Sequence, residues 1–345
     1  MKAADVIAYL QNYKKTITIM EVCGSHTSAI IKSGIRSIIS PSIRLVSGPG
    51  CPVCVTPPSY IDKLVSCAAD KSCTVVSFGD MFKVRGTSFS MEEAKAAGAN
   101  VEMVYSPLQV IEMAKQSPQK IFLVAAVGFE TTAPVFAVLT EQIIRAGLAN
   151  IKLLTALKTM PPVLEYICEN EAVDAFLCPG HVSTIIGTAP YEKLCEKYKK
   201  PCVIAGFEPE HILAAIYEAV TQHEKKQYMV KNLYKSAVKG LSQAKATALM
   251  EKYFTAAPAY WRGIGEIAGS GLYIKDEYSY LDAGSYIKGE DDFSAGCRCR
   301  DVILGRIYPD ECPLFGQKCR PDNAIGACMV SQEGACGNWY NSKAT

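Results

Sequence analysis

Sulfur dominates the chemistry available to this chain. Its 345 residues include 15 cysteines but only four histidines, His26, His181, His211 and His223. The cysteine count is odd, and the N-terminus, MKAADVIAYLQNYKK, lacks the apolar run of a secretory signal. Both argue against an exported disulfide scaffold and for reduced, metal-binding or redox-active thiols. Six cysteines fall in one stretch, spaced Cys297-x-Cys299-x12-Cys312-x6-Cys319-x8-Cys328-x7-Cys336, with Pro313, Pro321 and several glycines to turn the chain. Four thiolates on such loops could hold a [4Fe-4S] cluster or a zinc ion. The close Cys-x2–4-Cys knuckles of structural zinc sites are absent, and surplus cysteines suit a redox cluster better, so the cluster is the favoured reading. A set of merely buried cysteines would need a core that this polar stretch does not supply.

Two further thiol motifs follow strand-like runs. Cys51-Pro52-Val53-Cys54 sits on a Gly48-Pro49-Gly50 loop ahead of a helix expected from about Pro57. A helix N-terminus stabilises thiolate, and a two-residue spacer suits a reducible disulfide, so a redox pair is expected. Cys23-Gly24-Ser25-His26 follows the first strand, at the strand end where α/β sheets bind ligands. Either a nucleophilic Cys–His pair or a thiolate metal ligand with a supporting imidazole fits it; an ordinary coincidence of Cys and His is the plain alternative. Glu130 and Glu208, each after Gly-Phe, read equally as an acid/base pair or as carboxylates near helix starts. Cys67, Cys73, Cys168, Cys195 and Cys202 read as fillers. Neither a Gly-x-Gly-x-x-Gly turn nor a phosphate-binding Gly-x4-Gly-Lys-Ser/Thr loop occurs, so no nucleotide site has motif support.

The elements that must position these motifs alternate β-branched runs with helical ones up to about residue 222, the pattern of parallel α/β sheets. Strands are expected at Thr16–Val22, Ile43–Val46, Thr74–Ser77, Val101–Val104, Ile121–Val127, Ile151–Leu154, Ala175–Cys178 and Val203–Ala205. Helices are expected at Pro57–Ala68, with Thr56 as N-cap, after the capping box at Ser90, and at Pro134–Ala146. Residues 21–27 echo 126–132, and 47–51 echo 178–181, which suggests an internal duplication. Helical patterns then run through Lys225–Phe254, followed by turns at Gly263, Gly265, Gly269 and Gly271. The expected architecture is α/β: two similar parallel-sheet domains, residues 1–117 and 118–222, plus a small cysteine-rich Fe–S domain, 223–345. A net charge of +2 from 36 basic and 34 acidic residues provides no footprint for nucleic acid or anionic lipid. The longest apolar run, Ile121 to Phe129, falls well short of the ~20 residues of a membrane span. A soluble, cytoplasmic protein is expected.

Six long motifs then occur in order: Cys23-Gly24-Ser25-His26, Gly48 to Cys54, Gly128 to Pro134 (GFETTAP), Pro179 to Ser183 (PGHVS), Gly206 to Pro209 (GFEP) and Met329 to Cys336 (MVSQEGAC). From about residue 15 to 340 the chain closely resembles the HypD family of [NiFe]-hydrogenase maturation proteins. The resemblance implies a scaffold rather than a turnover enzyme. With the small chaperone HypC it would assemble an Fe(CN)2(CO) unit, bound transiently. Cyanide would come through HypE, with HypF upstream, and the finished unit would pass to the hydrogenase large-subunit precursor. It implies Cys23 as the thiolate holding that iron with His26 beside it, and Cys51/Cys54 as a dithiol/disulfide pair in the same crevice. It also implies a resident [4Fe-4S] cluster, for which Cys299, Cys312, Cys319 and Cys336 are the expected ligands. Because fixing cyanide on iron needs a source of electrons, electron flow from that cluster through Cys51/Cys54 to the iron at Cys23 is expected in addition. The family's first motif usually reads Cys-Gly-Thr-His, where this chain has Ser25. His211 stands where an Asp usually follows the Gly-Phe-Glu-Pro motif. A cluster-linked thiol–disulfide oxidoreductase of the ferredoxin–thioredoxin reductase type is the second expectation, and a zinc-stabilised binding module the third.

Overall fold

The structure, a computed structural model, describes residues 3–239, 241–287, 289 and 296–343. Its strands are β1 (Ile17–Glu21), β2 (Ile43–Ser47), β3 (Cys73–Ser77), β4 (Val101–Met103), β5 (Ile121–Gly128), β6 (Ile151–Lys158), β7 (Ala175–Cys178), β8 (Cys202–Ile204), β9 (Val230–Asn232), β10 (Phe254–Trp261) and β11 (Gly265–Ile274). They form two sheets, ordered β2-β1-β7-β8-β9 and β10-β11-β6-β5-β3-β4. The first is parallel throughout. The second is parallel except where the β10–β11 hairpin joins β6. Strands covered on both faces read as unbroken apolar runs, and ITIME in β1 and IFLVAAVG in β5 are buried almost end to end.

The α/β expectation and its eight strands hold, but the sequential division at residues 117 and 222 does not describe how the strands group. One compact unit comprises Met1–Cys51, Val163–Ala244 and Ser294–Thr345; the other comprises Pro52–Pro162 and Lys245–Phe293. Strands β1 and β2 join the sheet of β7 and β8 through the β1–β7 pair, while β3 and β4 join that of β5 through the β3–β5 pair. Strand partners are chosen by long-range pairing that local periodicity does not record. The cysteine-rich tail is likewise grouped with the first unit rather than standing alone. Its helix Ala335–Lys343 packs on helix Gly24–Lys32, and Arg306 makes a two-pronged ion pair with Glu171. The echo between 47–51 and 178–181 joins loops after β2 and β7 of the same sheet, so it does not relate one sheet to the other.

In the first unit, one face of the sheet packs Ile17, Ile19, Leu45, Leu177 and Val203 against Leu10, Ile30 and Ile216, which belong to helices Ala3–Asn12, Gly24–Lys32 and Pro209–Glu224. In the second, Ser90 and Glu93 form the expected capping box, each side chain accepting the other's backbone N–H. The helix expected from Pro57 runs Pro58–Ala69 with Pro57 itself at the cap.

The reading fails most clearly after residue 225. Among the described residues of that stretch only Ala244–Tyr253 is helical, and the glycines beyond it belong to the β10–β11 hairpin rather than to separate turns. Phe254-Thr-Ala-Ala-Pro-Ala carries alanines that favour helix, and Pro258 argues against a strand. The proline is tolerated because β10 is the sheet's edge and a register shift falls between Ala257 and Ala259.

Candidate functional site

In the first unit the loops after β1, β2, β7 and β8 leave the carboxyl ends of parallel strands, and they carry four of the motifs. Cys23 is the N-cap residue of helix Gly24–Lys32, with extended backbone (φ −153°, ψ 121°). Its buried sulfur receives the backbone N–H groups of Ser25 and His26. Those bonds favour thiolate, but desolvation outweighs them, aided by Glu21 and Glu333, and pushes the thiol up to about 11. Metal-free Cys23 is therefore a neutral thiol at pH 7 that a soft metal ion would have to deprotonate.

Glycines let other loops close on this residue. A Cβ on Gly50 would stand 2.6 Å from the Val22 carbonyl carbon and 2.7 Å from Cys23 Cα. A Cβ on Gly24 would stand 2.5 Å from Glu333 Cβ and 2.7 Å from its Cα. The Gly-Pro-Gly-Cys loop thus touches the Cys23 backbone and the Ser-Gln-Glu-Gly-Ala-Cys loop touches the adjoining Gly24, because neither contact leaves room for a side chain.

Behind Cys23 lies Glu21, a buried acid whose importance the sequence did not signal. Cys23 N–H donates to its Oε2 at 3.3 Å, and the Thr27 hydroxyl donates to Oε1. Burial raises the carboxyl to about 7, while the Arg36 charge pulls the other way. Arg36 lies 4.9 and 4.7 Å from the ring centres of Tyr308 and Trp339, which stack on each other at 5.4 Å. Trp339 is three residues beyond Cys336 on the same helix, so this contact also fixes the cysteine-bearing tail.

His26 is fully buried, and its Nε2 lies 3.3 Å from the Ala205 carbonyl oxygen. Desolvation lowers the imidazole to about 4, so it is neutral at physiological pH. With Nε2 donating to that carbonyl, Nδ1 keeps its lone pair, and it has no hydrogen-bond partner. Phe207 packs against His26 (4.9 Å between centroids) and stacks on His181 (4.2 Å, 27°). The motifs at residues 23–26, 179–183 and 206–209 therefore meet around one aromatic ring. Glu208 is exposed at the N-cap of helix Pro209–Glu224 and makes no side-chain cap bond there.

Cys51 and Cys54 are joined as a disulfide, and both are buried. The six tail cysteines line one small cavity whose other walls are apolar: Val302, Leu314, Phe315 and Met329. The Cys297 thiol contacts Cys299, and Cys328 contacts both Cys299 and Cys336. Backbone N–H groups of Ile325 and Gly326 point at the Cys319 sulfur. Among the described residues no three or more Cys, His, Asp or Glu side chains form a group that could hold a metal ion. The donor set nevertheless fits an iron–sulfur cluster: thiols only, amide N–H groups directed at sulfur, and a dry wall. A cluster spreads its ligands over several irons, so its thiolates stand farther apart than those of a single ion. The four expected ligands share the cavity with Cys297 and Cys328, whose convergence the spacing alone did not reveal.

The Gly128-Phe129-Glu130-Thr131-Thr132 motif belongs to the second unit. Glu130 follows β5, and its Oε1 accepts the N–H of Met160, the first residue of helix Met160–Asn170. It therefore serves as a carboxylate at a helix start, though of a helix remote in sequence. Burial raises it to about 7 from 4.5. A carboxyl raised on folding stabilises the protein below its unfolded value and loses that contribution as pH rises through the folded one. Between about pH 4.5 and 7, unfolding free energy should fall by up to ~3 kcal/mol on its account. Denaturant titrations of Glu130→Gln should show a shallower decline over that window, with Glu21 supplying a remaining slope of the same sign. An unchanged slope would contradict this assignment.

Of the cysteines read as fillers, Cys195 and Cys202 are buried with their thiols in contact, and Cys202 also touches Cys178. Among the described residues no helix is long and apolar enough to cross a membrane.

A family model described as HypD, hydrogenase formation hypA family, matches residues 1–343. A putative hydrogenase expression/formation protein of Methanocaldococcus jannaschii is 39% identical over 344 residues, covering 98% of this chain and 96% of its own length. Hydrogenase maturation factors HypD of Rhodobacter capsulatus and Escherichia coli are 37% and 36% identical, each covering 95% of this chain and 89% of the relative. Matches of this extent take in both sheets and the cysteine tail, and the chain belongs to the HypD family of hydrogenase maturation factors.

Proposed function

We propose that this chain is a scaffold that assembles an Fe(CN)2(CO) unit and delivers it to a hydrogenase large-subunit precursor, working with HypC and receiving cyanide through HypE, with HypF upstream. Iron carrying cyanide and carbon monoxide is cargo here, and a soft thiolate is a suitable anchor for it. The observation that carries the reading is the environment of Cys23: a buried sulfur at a helix start, with two amide N–H groups aimed at it. These amides would stabilise the thiolate once iron displaces its proton. His26, neutral and with a free Nδ1 lone pair, would accept a hydrogen bond from an N–H or O–H donor of a partner, since the cyanide and carbonyl ligands of the cargo can only accept.

Cys51 and Cys54 store a pair of electrons: the disulfide takes up two electrons and two protons to give two thiols. Contact of the Gly50 backbone with Cys23, one residue before Cys51, supports a role for the pair in chemistry at the anchor. A [4Fe-4S] cluster held by Cys299, Cys312, Cys319 and Cys336 would supply single electrons when bound. Replacing Cys51 by alanine should reduce the iron and cyanide that co-purify with the partner complex at least tenfold. Full loading in that variant would mean that the thiol pair is not part of assembly.

A further inference from the structure

Lys158 is the last residue of β6, in the second unit, and is almost fully buried. Its Nζ donates to the Tyr260 carbonyl at 2.8 Å and lies 5.6 Å from the centre of the Trp261 ring. No carboxylate pairs with it among the described residues: Glu130, which follows the adjacent strand, instead holds the Met160 N–H. Burying an ammonium with only a carbonyl and a ring for company is costly, and desolvation lowers it to about 7. A small cavity lies against it, lined also by Thr155, Tyr60, Tyr273 and Ser285. The Thr155 hydroxyl is buried and has no partner, whereas the Tyr60 and Tyr273 hydroxyls already donate to the carbonyls of Leu154 and Pro258. The cavity lies near the carboxyl end of a parallel strand, where α/β sheets bind ligands.

We propose that this cavity is a binding site for a small carboxylate, with the Lys158 ammonium as its charge partner and the Thr155 hydroxyl available as a second donor. A carboxylate suits the site better than a halide because it offers separate oxygens to separate donors. The burial of Lys158 and the small volume restrict the ligand to one or two carbons. The site is independent of the thiol chemistry in the first unit.

The test is saturation of [13C]formate binding to the full-length protein by NMR line broadening at pH 7 and constant ionic strength, with [13C]acetate and chloride for comparison. Wild type should broaden formate saturably, and chloride should compete at least tenfold more weakly. Lys158→Met should abolish the broadening. Its unfolding should remain cooperative, with a midpoint no lower than wild type, because an uncompensated buried charge is replaced by a side chain of similar volume. Thr155→Val should weaken formate severalfold and leaves Lys158 in place as an independent check. Absence of saturable broadening in wild type, equal competition by chloride, or unchanged binding in a folded Lys158→Met protein would each overturn the proposal.

Discussion

Gly24→Ala should abolish hydrogenase maturation in cells that depend on this protein, while costing only ~1–3 kcal/mol of stability. The added methyl would fall 2.5 and 2.7 Å from Glu333 Cβ and Cα. Closer still is the Glu333 carbonyl oxygen, so the obstacle is main chain and its adjoining Cβ, not the tip of a flexible side chain, and a rotamer change cannot relieve the strain. Either the loop carrying Cys336 backs away from the Cys23 helix or the helix start shifts, and both disturb the amides that face the Cys23 sulfur. Gly147→Ala is the useful control. Gly147 has φ 63° with nothing near its missing Cβ, so alanine there should cost ~1 kcal/mol from backbone strain alone and leave maturation intact. Denaturant unfolding and hydrogenase activity, measured on both variants, separate the effects. A fully active Gly24→Ala protein would show that contact between the tail and the Cys23 loop is dispensable.

The second large effect concerns the cysteine cavity. Alanine at Cys299, Cys312, Cys319 or Cys336 should each remove nearly all protein-bound iron and sulfide from anaerobically purified protein, together with its visible absorption. Alanine at Cys297 or Cys328 should leave at least half. The cavity brings all six thiols together, so the distinction rests on which sulfurs bond to iron and not on which are nearby. Cys319, with two amide N–H groups aimed at its sulfur, should be the least replaceable. Retention of a full cluster in Cys319→Ala would refute the ligand set. A colourless wild type whose stability depends on zinc would instead favour a structural ion.

How far these features could be read in the sequence follows from their range. The runs at Ile17–Glu21 and Ile121–Gly128 announced buried parallel strands, and the capping box at Ser90 marked its helix, because both signals are local. The assignment of β1 and β2 to the sheet of β7 and β8 was not legible, since pairing partners leave no mark on periodicity. The β10–β11 hairpin was hidden by alanines and Pro258. At the site, Cys23, His26 and the Cys-x-x-Cys stood out by residue type. Glu21, Arg36 and Lys158 did not, because an acid or base in a strand or short helix reads as solvated until its burial is known. Gly24 and Gly50 looked like ordinary turn glycines. Their importance lies in Glu333 and Val22, which the fold brings against them.

The central claim is that Cys23 anchors an iron unit carrying cyanide and carbon monoxide. Infrared spectroscopy of anaerobically purified protein, co-expressed with its maturation partners, tests it most directly when wild type and Cys23→Ala are compared. Cyanide and carbonyl stretching bands in the wild type that vanish in a folded, cluster-containing Cys23→Ala protein are the predicted result. Bands that persist in Cys23→Ala, or that are missing from a partner-bound wild type with its full cluster, would contradict the claim and favour a thiol–disulfide oxidoreductase built on Cys51 and Cys54.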